Sequence, residues 1–98
     1  MLIHYERLDL TTSSGEASDN TQKLMGVVLG IYVKPATSTT QYTITITDEA
    51  GMIVYVRTEE IGDIADDEMI AVKEIYTISI TGATKDEAFL VRLGIREE

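Results

Sequence analysis

Gln41-Tyr42-Thr43-Ile44-Thr45-Ile46-Thr47, followed by Asp48-Glu49-Ala50-Gly51 and then Met52-Ile53-Val54-Tyr55-Val56, decides the fold. The first seven residues alternate large apolar with small polar side chains. A period of two belongs to a strand with one buried face, whereas a helix would scatter both sets around its circumference. The pattern therefore predicts Tyr42, Ile44 and Ile46 inward, with Thr43, Thr45 and Thr47 outward. Asp48-Glu49-Ala50-Gly51 is short, polar and ends in glycine, the chemistry of a hairpin turn. A two- or four-residue loop sets Thr47 opposite Met52, so that Ile53 and Tyr55 join the core and Val54 and Val56 lie beside Thr43 and Thr45. A three-residue loop would reverse the faces of the second strand.

Working outward, the same alternation returns in residues 74–81 through Tyr76, Ile78 and Ile80, and in residues 88–96 through Phe89, Val91, Leu93 and Ile95. With Gly82-Ala83-Thr84-Lys85-Asp86 between them, these segments read as a second hairpin. Residues 24–33 are apolar at both parities. That predicts a central strand covered on both faces, with Gly26 and Gly30 at a bulge or close approach and Pro35 ending it. Residues 2–10 read as a first strand whose apolar phase switches from Ile3 and Tyr5 to Leu8 and Leu10, as a bulge or change of partner near Glu6-Arg7 would produce. Residues 11–21 are small and polar, and read as a solvent loop. Residues 59–73 interleave acids with aliphatics and read as an irregular crossover between sheets, with a helical turn after Asp63 as the alternative. The expected fold is all-β, an antiparallel β-sandwich or small barrel of about six to eight strands, in one domain spanning residues 1–98.

Composition narrows the chemistry. Ninety-eight residues supply one core, and seventeen acids against eight bases give a net charge of −9, a field that repels phosphate backbones and anionic lipid. Neither nucleic acid nor membrane is an expected partner. The absence of cysteine excludes disulfides, thiolate metal sites and a cysteine nucleophile. The first residues lack the pattern of a signal peptide and the longest apolar run, residues 24–33, is too short to span a bilayer, so neither export nor a membrane span is expected.

Nothing in the pattern assembles a reaction centre. His4 is the single histidine, and the serines sit in polar loops or, like Ser79, on a strand without a nucleophile elbow. Asp63, Asp66, Asp67 and Glu68 come nearest to a hard-cation site, but their spacing matches no EF-hand, and they read as a solvated or partner-facing surface. No catalytic residue, metal or cofactor is expected. What remains is apolar surface for protein contact. Residues 52–56 are aliphatic at both parities, which nominates Met52, Val54 and Val56; the phase switch in the first strand nominates Leu2, Ile3 and Tyr5.

Across residues 3–96 the order of elements resembles small tailed-bacteriophage virion proteins. The residues that carry the likeness are the Gly26-Val27-Val28-Leu29-Gly30-Ile31-Tyr32-Val33 strand, the Tyr42-Thr43-Ile44-Thr45-Ile46-Thr47-Asp48-Glu49-Ala50-Gly51 hairpin, and Ile78-Ser79-Ile80-Thr81-Gly82 with the strand from Phe89 onward. The resemblance implies a capsid decoration or cement subunit on the virion surface, present as a homo-oligomer and held by a major capsid protein or another virion protein. It implies no catalytic residue. Many proteins of that kind carry a longer Gly- and Ala-rich insertion before the final hairpin, where this chain has the short acidic residues 59–73. A tail or head-tail connector component is the alternative location, and a carbohydrate- or cation-binding β-module the alternative of another class.

Overall fold

A computed structural model describes residues 2–97. Alternating segments become strands: β1 (Leu2–Thr11), β2 (Ala17–Asn20), β3 (Gly26–Pro35), β4 (Gln41–Thr47), β5 (Ile53–Ile61), β6 (Ile64–Val72), β7 (Thr77–Thr81) and β8 (Ala88–Glu97). They form two antiparallel four-stranded sheets, sheet I in the order β1-β8-β3-β6 and sheet II in the order β2-β7-β4-β5. The pairings are nested, β1 with β8, β2 with β7, β3 with β6 and β4 with β5. A long hairpin rolled up in this way is the jelly-roll form of β-sandwich, an architecture that serves capsid, lectin and cupin domains alike and so does not by itself name a function.

The core lies between the sheets. Val91, Leu93 and Ile95 of β8 and Ile31 of β3 face Ile44 of β4 and Ile78 and Ile80 of β7, all at most 1% exposed. Full burial of each such side chain stabilises the fold by roughly 1.5–3 kcal/mol. Phe89 and Tyr42 meet edge to face, with ring centroids 5.0 Å apart. The Tyr42 hydroxyl donates to the Gly62 carbonyl at 2.6 Å, so its polar end is satisfied within the core.

The decisive hairpin departs from expectation at its turn. Glu49-Ala50-Gly51 forms a three-residue loop, because the Asp48 amide donates to the Met52 carbonyl at 2.9 Å. Asp48 Oδ1 accepts from the amides of Ala50 and Met52 at 3.0 and 2.8 Å, and Gly51 takes the left-handed φ of 82° that closes such loops. Thr47 therefore faces Ile53, and Ile53 points outward. A bulge at Val54 follows, since the next pair is Ile46 with Tyr55. It turns Val54 against the core and returns Tyr55 to the inside and Val56 to the outside. Ile53 and Val54 thus exchange their expected places.

Other expectations are corrected by pairing partners. β1 stays in register with β8 from Leu2 opposite Glu97 to Thr11 opposite Ala88, without the bulge or partner change expected near Glu6-Arg7. Ile3 and Tyr5 are instead apolar residues on its outer face. The expected loop at residues 11–21 holds β2, entered through a two-residue turn in which Ser14 and Gly15 have φ of 54° and 78°. Residues 59–73 do cross between sheets, but the crossing is confined to the Gly62 turn, and β6 fills most of the rest. β7 and β8 are both strands of the expected phase, yet they belong to different sheets and form no hairpin. β3 is central in sheet I and irregular between Val28 and Gly30, as its glycines suggest, but only its inner face is covered by the second sheet.

Candidate interaction surfaces

The outer face of sheet I is set by cross-strand register. One row reads Ile3, Arg96, Val27, Ala71; the next reads Tyr5, Gly94, Gly30, Asp67; the third reads Arg7, Arg92, Tyr32, Ala65; Asp9, Leu90 and Lys34 follow. Gly94 and Gly30 stand opposite each other and leave a shallow floor. Tyr5 and Tyr32 fold over it. A Cβ at Gly30 would lie 2.6 Å from the Tyr32 hydroxyl, and one at Gly94 would lie 3.3 Å from the Tyr5 ring. The Arg92 guanidinium lies over both rings, 4.6 Å from the Tyr5 centroid and 5.1 Å from that of Tyr32. Such contacts contribute about 0.5–1 kcal/mol each at exposed sites, enough to hold a planar platform in place.

Beside this platform runs a groove of about 280 Å³, lined by Tyr32, Lys34, Asp63, Ala65, Leu90 and Arg92 among others. Met69, 78% exposed, stands farther along β6. The rows hold four cations, Arg7, Lys34, Arg92 and Arg96, against the carboxylates of Asp9 and Asp67. A locally cationic face on a chain of net charge −9 separates this surface from the rest of the molecule.

Sheet II presents different chemistry. Its outer rows read Ser18, Ser79, Thr45, Val56 and Asn20, Thr77, Thr47, Ile53, with Thr81 opposite Thr43. No charged side chain stands in the first two rows, whereas the third ends beside Glu59, whose amide donates to Thr43 Oγ1 at 3.1 Å. Among the described residues, large exposed apolar side chains here are Met52, Ile53, Val56 and Ile61 along the β5 margin and Ile75 just before β7.

The expected interface residues therefore fall into two groups. Leu2, Ile3 and Tyr5 are all at least half exposed on β1, an edge of sheet I, whereas Met52 and Val56 are exposed along β5, an edge of sheet II. The structure does not bring the groups together, and it turns Val54 inward. Arg92 is exposed, as alternation along the last strand expects of a residue facing outward or to an interface, whereas Tyr32 and Leu90 were missed because each looks ordinary along the chain. Only the pairing of β3 with β8 makes them neighbours.

The acidic segment resolves into an internal brace. Alternation along β6 leaves Asp66 and Glu68 half-buried and Asp67 exposed, so the carboxylates diverge. Among the described residues no group of three or more His, Asp or Glu is gathered to hold a metal. Asp66 accepts from the Tyr55 hydroxyl at 2.6 Å and pairs with Arg57, which also binds Glu60. The Tyr55 hydrogen bond, joined by the Arg57 guanidinium and opposed by partial burial, holds the Asp66 carboxyl below the usual carboxylate range. At the other end, Glu87 accepts from the Thr37 amide and hydroxyl and from Thr40, at 2.7 to 2.9 Å. Burial pushes its carboxyl up, but these hydrogen bonds outweigh burial and leave it below the usual range. Both clusters tie elements together. His4, on β1, has Nδ1 3.3 Å from Glu97 Oε1 but in no hydrogen-bonding geometry.

No family model matches the chain, and a search of curated proteins finds no match.

Proposed function

We propose that the chain is a non-catalytic structural subunit, present in repeated copies, that decorates the head of a tailed bacteriophage by packing against its capsid protein. The observation that carries this reading is the outer face of sheet I. Tyrosine and arginine are among the residues enriched where proteins meet, and here they form a braced platform ringed by Ile3, Leu90 and Met69. Such a patch suits a broad protein surface better than a reaction centre. The jelly roll is compatible with a virion protein without requiring one.

The test is co-purification. The protein is expected to follow infectious particles through a density gradient, and Arg92→Glu combined with Tyr32→Ser is expected to reduce its occupancy at least tenfold while leaving the fold intact. Absence of the wild-type chain from purified particles would reject the reading. Separated heads and tails distinguish a decoration subunit from the tail or connector alternative.

One observation favours a carbohydrate-binding module instead. The groove beside Tyr32 combines an aromatic ring with Lys34, Asp63 and Arg92, the mixture that holds sugars in small sites. Saccharide-induced shifts of the Tyr32 and Leu90 resonances, absent in Tyr32→Ser, would favour that reading.

A further inference from the structure

We infer that β1 is a dimerisation edge, at which two copies of this chain pair antiparallel and extend sheet I across a two-fold axis. This deepens the reading of a repeated subunit by naming its copy-to-copy contact. Open sheet edges template further pairing, and proteins commonly blunt them with bulges, short strands or charges. Three of the four edges here are blunted. β2 has four residues; β5 breaks register twice and carries Arg57, Glu59 and Glu60; β6 is irregular in register and carries Asp66, Asp67 and Glu68. β1 carries charges too, at Glu6, Arg7 and Asp9, but it alone runs ten residues in unbroken register, with neither bulge nor proline.

The backbone fixes which groups are offered. The Thr12 amide donates to the Glu87 carbonyl at 3.0 Å, continuing the ladder past Thr11 opposite Ala88. Antiparallel pairs alternate, so even-numbered residues bond β8 and the backbone groups of Ile3, Tyr5, Arg7 and Asp9 face away. Two copies can satisfy these groups only by setting odd residues opposite odd residues, which also keeps inner and outer faces aligned.

Side chains then select the register. Centring the pair on Glu6, Arg7 or Asp9 sets like charges directly opposite each other, which is destabilising. Centring it on Leu8 leaves Leu2 and Ile3 beyond the partner's strand, where the Ser14-Gly15 turn carries the chain away. Centring it on His4 opposes two imidazoles and shortens the ladder. The axis through Tyr5 avoids all of these. It sets Tyr5 against the partner's Tyr5, His4 against the partner's Glu6 and Leu2 against the partner's Leu8. It also covers Leu2, Ile3 and Tyr5, which are 65%, 50% and 56% exposed in the single chain, and joins the two Tyr-Arg platforms into one surface.

Absence of cysteine from the chain makes the test direct. Facing residues in a hydrogen-bonded antiparallel pair have Cα atoms about 5.5 Å apart, within disulfide reach. Sedimentation is expected to give about twice the 10.8 kDa chain mass at micromolar concentration. On a denaturing non-reducing gel, oxidised Tyr5→Cys is expected to run as a covalent dimer, while Arg7→Cys, offset from its own copy in this register, runs at the single-chain mass. Tyr5→Pro removes the Tyr5 ring and an outward amide that makes no bond to β8, and is expected to shift the protein to monomer with its β-sheet circular dichroism retained. A wild-type chain that stays monomeric, or Arg7→Cys that cross-links as readily as Tyr5→Cys, would overturn the inference. A dimer that never binds particles would leave it standing and remove only the particle reading.

Discussion

On sheet I the side chains that leave the core include Ile3, Tyr5, Tyr32, Leu90 and four cations; on sheet II they are mainly Thr43, Thr45, Thr47, Thr77, Ser79 and Thr81. The inner faces of the two sheets are nearly interchangeable, built of Ile, Val, Leu and a few aromatics. Folding demands apolar side chains at inward positions and asks little of outward ones. Tyrosines laid over a glycine pair with an arginine across both are more than solubility requires, whereas a field of threonines is ordinary strand surface. The contrast teaches that function is to be sought on the outside of sheet I.

The sharpest break of inside from outside is Ile78→Asp beside Thr77→Asp. The first places a carboxylate at a position with no exposure and is expected to unfold the domain, a loss of about 5 kcal/mol or more. The second adds a charge to the outer face of sheet II and is expected to cost under about 1 kcal/mol. Urea melts check both, and the reverse order would contradict the face assignment.

Acid probes the braces beneath the surfaces. Asp66 and Glu87 both titrate below their ordinary values when folded. Their contribution is therefore complete above the unfolded values, about 3.9 and 4.3, and is lost as pH falls through the lower folded values. Thermal melts are expected to be flat from neutral pH to about pH 5 and to drop below about pH 4. Asp66→Asn is expected to lower the neutral-pH melting temperature and flatten the acid drop; an unchanged slope would show that the brace does not titrate as described.

Smaller effects separate brace from platform. Tyr55→Phe deletes one hydrogen bond to Asp66 and is expected to cost about 1 kcal/mol, or roughly 4–8 °C in melting temperature. Arg92→Gln removes the guanidinium from both rings and is expected to cost about 1–2 kcal/mol at most if the two contacts add. Its clearer signature is optical and magnetic: the Tyr5 and Tyr32 ring resonances should shift while core resonances stay. Adding millimolar Ca²⁺ is expected to leave the melting midpoint unchanged, because among the described residues no carboxylate cluster is gathered to bind it.

Much of the fold was legible in local periodicity. β4, β7 and β8 were readable residue by residue, since Tyr42, Ile44, Ile46, Ile78, Ile80, Phe89, Val91, Leu93 and Ile95 keep a strict period of two. β2 was hidden because its four residues, Ala-Ser-Asp-Asn, are small and polar and gain their place only through β7. β6 was hidden because its inward Asp66 imitates a surface residue until Tyr55 and Arg57 are brought to it. The Val54 bulge and the three-residue loop reverse and then restore one strand's faces, which no alternation can anticipate. Of the candidate surface, Ile3 and Tyr5 were visible as apolar residues out of phase, but Arg92, Tyr32 and the glycine pair depend on non-local register.

The central claim is that sheet I, not sheet II, carries the docking surface. Its most direct test compares Arg92→Glu with Thr45→Glu on purified particles, each read by quantitative gel and by density on the capsid. Both variants should fold cooperatively, Thr45→Glu with a melting curve close to the wild type and Arg92→Glu with a midpoint lowered by the loss of its two ring contacts. Arg92→Glu is expected to strip the protein from particles, and Thr45→Glu to leave occupancy unchanged. Loss with Thr45→Glu and full occupancy with Arg92→Glu would contradict the account.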